Sequence, residues 1–178
     1  MTFNPRIVIT GGPGSGKTTL INALEARGLV VEPEAGRTVI REQQAVGGDA
    51  LPWADRIAFA EAMLDHDLTA HARHSTAMEP VFFDRGIPDV IGYLNLCGLP
   101  VPPKVDTAAK TNRYRATVFI APFWPDIFVQ DAERRQDADE ARRTFEAMAL
   151  TYPAYGYDLI ELPRSTVEDR VAFILDRI

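Results

Sequence analysis

The chain lacks much of what would point to a secreted, membrane-bound or nucleic-acid-binding protein. Of its 178 residues only Cys97 is a cysteine, so no disulfide can form within it, which fits a reducing compartment. Cys97 closes the apolar stretch Tyr93-Leu94-Asn95-Leu96-Cys97 and reads as packing rather than as a nucleophile. No uninterrupted apolar run is long enough to cross a bilayer, so no membrane partner is expected. An apolar run begins at residue 6 and leaves no room for a signal peptide ahead of it, so a cytoplasmic location is expected. Positive charge is not in excess: 19 Lys and Arg stand against 25 Asp and Glu, a net charge of −6, and no aromatic–basic pattern is present, so nucleic acid is not an expected partner. Among His66, His71 and His74 only the last two fall at neighbouring helical spacing, and no cysteine or second cluster completes a zinc site. A guanine-reading N-K-x-D element is also missing.

What is present begins with Gly11-Gly12-Pro13-Gly14-Ser15-Gly16-Lys17-Thr18, which fits G-x-x-x-x-G-K-[ST], the phosphate-binding loop of nucleoside-triphosphate proteins. Glycines let the backbone curl so that successive N–H groups converge on one anion. Lys17 supplies a point charge to the β- and γ-phosphates, the Thr18 hydroxyl is placed to ligate Mg²⁺, and the helix that starts here adds its positive end. The expected nucleotide-binding set is Gly11 to Thr19. The preceding Arg6-Ile7-Val8-Ile9-Thr10 reads as a buried strand, and Leu20, Ile21 and Leu24 follow at helical spacing. The motif therefore lies between a strand and a helix, where its mechanism requires it.

Strand-like runs recur at residues 6–10, 29–32, 80–84, 117–121 and 158–162, short and apolar like parallel strands buried on both faces. Helical patterns separate them at 17–27, 36–46, 53–78, 88–97, after Pro102-Pro103, and at 137–151. A last helix is opened by an expected capping box, Ser165 with Glu168, and carries the stripe Val171, Ile174, Leu175 and Ile178. Alternation of this kind predicts one α/β domain over residues 1–178, three-layered, with a five-stranded parallel sheet. Ligands of such sheets bind beyond the carboxyl ends of the strands, so residues just after strands attract interest.

Val81-Phe82-Phe83-Asp84 ends in a carboxylate suited to holding Mg²⁺, and Arg85 beside it can neutralise phosphate oxygens. Glu34 follows the second strand and is placed to reach an acceptor hydroxyl as base or binder; Arg37, about one turn on, is suited to phosphate or to orienting Glu34. The alternative for Glu34 is helix capping, and for Glu32 a structural role is favoured. After the fourth strand, Trp124-Pro125, Asp131 to Arg135 and Arg142-Arg143 suggest an arginine-bearing lid around 123–143, with Arg135 and Arg142 on one helical face. The competing reading is a solvated helix laced with acid–arginine pairs. Pro163-Arg164 after the fifth strand is placed to border a nucleotide base. Trp53, Phe59 and Met63 lie where an acceptor would be cradled, with core packing favoured for Phe59 and Met63.

Together these pieces resemble the predicted ATPases or kinases of the AAA-like group that includes the nicotinamide riboside kinase domain. The resemblance rests on GGPGSGKT, on Glu34-Ala35-Gly36-Arg37, on VFFDRGIPD, on Trp124-Pro125 with Asp131 to Arg135, and on Tyr155-Gly156-Tyr157 through Leu162-Pro163-Arg164. It implies a P-loop NTPase domain of the nucleoside/nucleotide kinase-like kind, with ATP as donor and Mg²⁺ as cofactor. In it, Lys17, Thr18 and Asp84 keep their positions, Glu34 meets the acceptor or acts as base, and Arg134 and Arg135 belong to the lid. Asp84 is followed by Arg-Gly where the riboside kinases have an Asp-Thr-Asp-like stretch, so the resemblance does not extend to the acceptor. The chain also lacks the separate helical lid domain of the AAA motors.

The expected activity is transfer of the ATP γ-phosphate to a small hydroxyl acceptor, nucleoside-like or otherwise. Lys17, Glu34, Asp84, Arg85 and Arg135 form the expected catalytic set, with Glu34, Arg37 and Arg85 on the acceptor and Thr18 and Asp84 on the metal. The alternative is a regulatory nucleotide switch that acts through a partner protein. A monomer or small homo-oligomer is expected.

Overall fold

The computed structural model describes residues 4–127 and 138–178. Five parallel strands, β1 (Arg6–Gly11), β2 (Val30–Glu32), β3 (Val81–Asp84), β4 (Thr117–Ala121) and β5 (Asp158–Glu161), pair in the order β2-β3-β1-β4-β5. Seven helices connect or follow them among the described residues: α1 (Lys17–Glu25), α2 (Ala35–Val46), α3 (Arg56–Arg73), α4 (Ile87–Leu96), α5 (Pro103–Thr111), α6 (Ala138–Ala154) and α7 (Val167–Leu175).

The central strands are apolar at nearly every position because both faces are covered. Val8, Val81, Phe83, Val118 and Ile120 face one core with Leu64, Ile91, Leu94, Met148 and Tyr152 from α3, α4 and α6. The intervening Ile7, Ile9, Phe82, Phe119 and Ala121 face a second core with Leu20 and Leu24 of α1 and Val171 and Ile174 of α7. This period-two division between two helical layers is the three-layer α/β architecture the alternation predicts.

The sheet order sets the site. β1 lies between β3 and β4, with Ile9 opposite Asp84 and Gly11 opposite Ala121. The connection out of β1 runs to one side of the sheet and the later strands fill the other. A crevice therefore opens beyond the carboxyl end of β1, where residues 12–16 lie.

Two helix ends differ from the expectations for identifiable reasons. The long pattern at 53–78 is a shorter helix because the Asp55 carboxylate caps the N–H groups of Ile57 and Ala58, and the helix ends at Arg73, before His74, whose ring is tied to Glu32. The last helix is capped by the Thr166 hydroxyl, which accepts from the Asp169 N–H, and not by Ser165 with Glu168. Cys97 caps the carboxyl end of α4 and is half-buried.

The phosphate loop also leans on α6. A Cβ at Gly12 would stand 2.3 Å from the Ala141 carbonyl oxygen, a backbone atom that cannot step aside alone. Gly12→Ala is expected to lower the stability of the unliganded protein by about 1–3 kcal/mol, through overpacking. Equilibrium urea denaturation checks it, and an unchanged midpoint would contradict the contact.

Candidate functional site

The loop between β1 and α1 is built by two glycines in the left-handed region, Gly14 (φ 68) and Gly16 (φ 78), which other residues reach only with strain. The Ser15 hydroxyl donates to the Gly12 carbonyl at 2.8 Å and closes the curl from within. Lys17 is buried, and its Nζ donates to Asp84 Oδ1 at 2.9 Å. Thr18 and Thr19 stay exposed at the start of α1. A cavity of about 440 Å³ runs from Gly14, Lys17 and Thr18 to Trp124, Ser165 and Arg170.

Beside this cradle stands the Arg85 guanidinium. Its Nε forms an ion pair with Glu34 Oε1 at 3.2 Å, and its Nη1 donates to Asp89 Oδ1 at 3.2 Å. Burial opposes its charge, but Glu34, Asp89 and Asp84 outweigh that and hold its pKa above the ordinary value. Arg85 is also the one non-glycine among the described residues with positive φ, at 74°. Such a conformation costs about 1–3 kcal/mol and persists where neighbours over-determine it. Here the Arg85 N–H bonds the Ile9 carbonyl at 3.0 Å while the side chain holds two carboxylates.

Asp89 organises this corner. Oδ1 accepts from Thr10 Oγ1 at 2.5 Å as well as from Arg85; Oδ2 accepts from the Gly86 N–H at 2.9 Å and from the Tyr152 hydroxyl at 2.5 Å. Burial, then the Asp89 charge, push the Tyr152 pKa well up, so its hydroxyl stays a donor. Asp67 of α3 completes the acidic group. It is buried and borders a second cavity of about 260 Å³ with Glu32 and Arg73. Desolvation first, then the charges of Asp89 and Glu34, raise its carboxyl well above the usual range against a smaller opposing pull from Arg85.

The structure brings Lys17 and Asp84 together, and Arg85, Glu34 and Arg37 into one group, with Arg37 Nε 3.4 Å from Glu34 Oε2. Glu32 is buried and paired with Arg73 and His74, the structural role favoured for it. His71 and His74 bond the Arg113 carbonyl and Glu32 respectively. Phe59 is buried, Met63 is partly buried, and Trp53 is 61% exposed. Arg142 is exposed and pairs with Asp139 and Glu146, the acid–arginine lacing that competed with the lid reading. Arg134 and Arg135 lie outside the described residues, as do residues 128–137 of the segment expected to form the lid.

Sequence reasoning missed Asp67, the hub role of Asp89, and Arg170. For Arg170 a signal existed: it sits three residues after Val167 and four before Ile174, on the apolar face of α7 where a charge is out of place.

This geometry agrees with the comparisons. A family model described as an AAA domain matches residues 6–170. The chain belongs to that AAA domain family, AAA_28. Among solved structures, deoxyadenosine kinase from M. mycoides with the products dCMP and dCDP aligns at TM-score 0.63 and 14% identity, over 97% of each chain. NadR in complex with NR aligns at TM-score 0.71 and 18% identity over 98% of this chain, which spans 50% of that one. Shikimate kinase from Acinetobacter baumannii aligns at TM-score 0.52 and 14% identity, over 97% of this chain and 92% of that one. At these identities the likeness shows the fold, that of P-loop kinases. No curated protein sequence matches the chain. Among the described residues of this AAA domain no helix is long and apolar enough to cross a membrane.

The raised Asp67 carboxyl has a definite sign. A folded-state pKa above the unfolded one contributes stability that is full below the unfolded pKa and lost as pH rises through the folded pKa. Stability at Asp67 is therefore expected to decline as pH rises above the ordinary carboxylate range of about 4, and Asp67→Asn to flatten that decline and raise stability at the alkaline end. Denaturation midpoints of both proteins across the range check it; parallel curves would contradict it.

Proposed function

We propose that this AAA domain is a small-molecule kinase that transfers the γ-phosphate of ATP to a hydroxyl of a nucleoside-like or similarly small acceptor. The observation that carries the reading is the linked pair Lys17–Asp84 and Arg85–Glu34. The first lies at the phosphate loop and the second beside it at the carboxyl ends of β2 and β3. A loop that only bound nucleotide would not require a second, buried arginine–carboxylate group beside it, joined through Glu34 to Arg37 on the cavity wall. The P-loop kinase fold, with deoxyadenosine kinase and shikimate kinase among its similar structures, supports it.

In this reading the backbone N–H groups of Gly14, Ser15, Gly16 and Lys17 cradle the phosphates. An incoming phosphate competes with Asp84 for Lys17, which frees the carboxylate. Thr18 and the freed Asp84 are hard oxygen donors at the loop mouth and fit Mg²⁺, which would neutralise phosphate charge. Glu34, held at both oxygens by Arg85 and Arg37, orients the acceptor hydroxyl. Arg85 faces the transferring group and compensates its spread charge, so catalysis is mainly positioning and electrostatics. A lid around 123–143 that closes over the site, with Arg135 on it, belongs to the same proposal.

The test is ADP formation from Mg-ATP across a panel of nucleosides, ribosides, sugars and shikimate-like polyols. One acceptor class is expected to stimulate turnover about tenfold or more, and Lys17→Ala to abolish it. Arg85→Ala is expected to lower kcat by about 10²–10³-fold. Tight binding with only slow, acceptor-independent hydrolysis would instead favour the nucleotide switch.

A further inference from the structure

Arg170 is 2% exposed, at the first turn of α7. Its Nη1 donates to the Ser15 carbonyl of the phosphate loop at 3.1 Å, and a Cβ at Gly16 would come within 2.8 Å of the same nitrogen. Its Nε and Nη2 are buried and have no hydrogen-bond partner, and neither does the buried Ser165 Oγ. The residues that carry these groups, Ser15, Gly16, Ser165 and Arg170, all border the 440 Å³ cavity that holds the phosphate loop. Desolvation lowers the Arg170 pKa.

Nε–H and the outer Nη2–H of a guanidinium point the same way and form its two-pronged edge, the edge that matches two adjacent acceptor atoms. Buried arginines are seldom left with that edge unused, because each unmet donor costs about 1–3 kcal/mol. With Nη1 already committed to the loop backbone, the free edge is held in place rather than swinging. We infer that Arg170 is a nucleotide-binding residue whose Nε/Nη2 edge takes a paired-acceptor group of the bound nucleotide, with Ser165 beside it. This rests on the nucleotide-binding part of the proposed function and deepens it. Two groups of a nucleotide carry that chemistry. One is the O6/N7 edge of guanine, which arginine grips with both prongs; adenine offers a donor, its amino group, where guanine offers O6. The other is a pair of oxygens on one phosphate. The first would make this donor site prefer GTP in spite of the missing N-K-x-D element.

Competition against a fluorescent nucleotide separates the two, using the Mg²⁺ complexes of ATP, GTP, CTP and UTP and inorganic tripolyphosphate. Arg170→Lys keeps the charge and a donor for Ser15 but loses the edge. If the edge reads the base, the protein prefers GTP about tenfold or more and Arg170→Lys removes most of that preference, with tripolyphosphate affinity unchanged. If it holds phosphate, all five ligands weaken by a similar factor, about tenfold, while the unliganded melting temperature stays put. Ser165→Ala leaves the Arg170 edge intact and is expected to weaken GTP only in the first case. Unchanged affinities in Arg170→Lys, or losses that track a lower unliganded melting temperature, overturn the inference. Failure of the unsubstituted protein to bind any nucleotide overturns the proposed function itself and this inference with it.

Discussion

The Asp89 carboxylate is the fixed point of this molecule's chemistry. Its two oxygens take four donors from three places: Thr10 near the end of β1, Arg85 and Gly86 in the turn between β3 and α4, and Tyr152 in the last turn of α6. A buried carboxylate is tolerable only when its lone pairs are met, and here nearly all are. Losing any donor would leave charge unmatched in a low-dielectric corner, so the elements that supply them cannot drift apart independently. Arg85 has its unusual backbone and its aim at Glu34 because Asp89 grips the far side of the same guanidinium. Within the described residues, the Arg85–Glu34 half of the site, the half proposed to meet an acceptor, is an outgrowth of one core hydrogen-bond hub.

The phosphate half is organised differently. Its shape comes from backbone, with two left-handed glycines and an internal Ser15 bond, and its charge from Lys17. Pairing Lys17 with Asp84 keeps a buried ammonium compensated when no phosphate is near. The two halves meet at the peptide between Asp84 and Arg85, whose side chains serve opposite halves. Strand β3 thereby sets the relation between the Lys17 and Glu34 halves of the site with a single residue step.

The strands were readable from sequence because parallel strands buried on both faces are continuous apolar runs, and all five runs fall on the strands observed, to within a residue at their ends. The phosphate loop was readable because its chemistry is compressed into eight consecutive residues. Asp84, Arg85 and Glu34 were readable as residues after strands, but their mutual grip was not. Arg85 and Glu34 meet only because β2 lies beside β3, a fact of sheet order that spacing does not carry. Arg170 is the limiting case: its partner Ser15 is 155 residues away. Ser165 was assigned to a cap because Ser-x-x-Glu is a strong local pattern, while the chain used the next hydroxyl, Thr166, and left Ser165 facing the cavity.

The left-handed backbone at Arg85 implies a conflict between two kinds of fitness. Glycine, and after it asparagine, takes such φ values with the least strain. Either replacement would relieve the backbone but would also remove a donor from Asp89 and the cation that stands between Asp89 and Glu34. The backbone at residue 85 therefore pulls toward glycine while the two carboxylates pull toward arginine. A sequence chosen on local backbone fit alone would lose that arginine, and with it one of the positions where the proposed chemistry is concentrated.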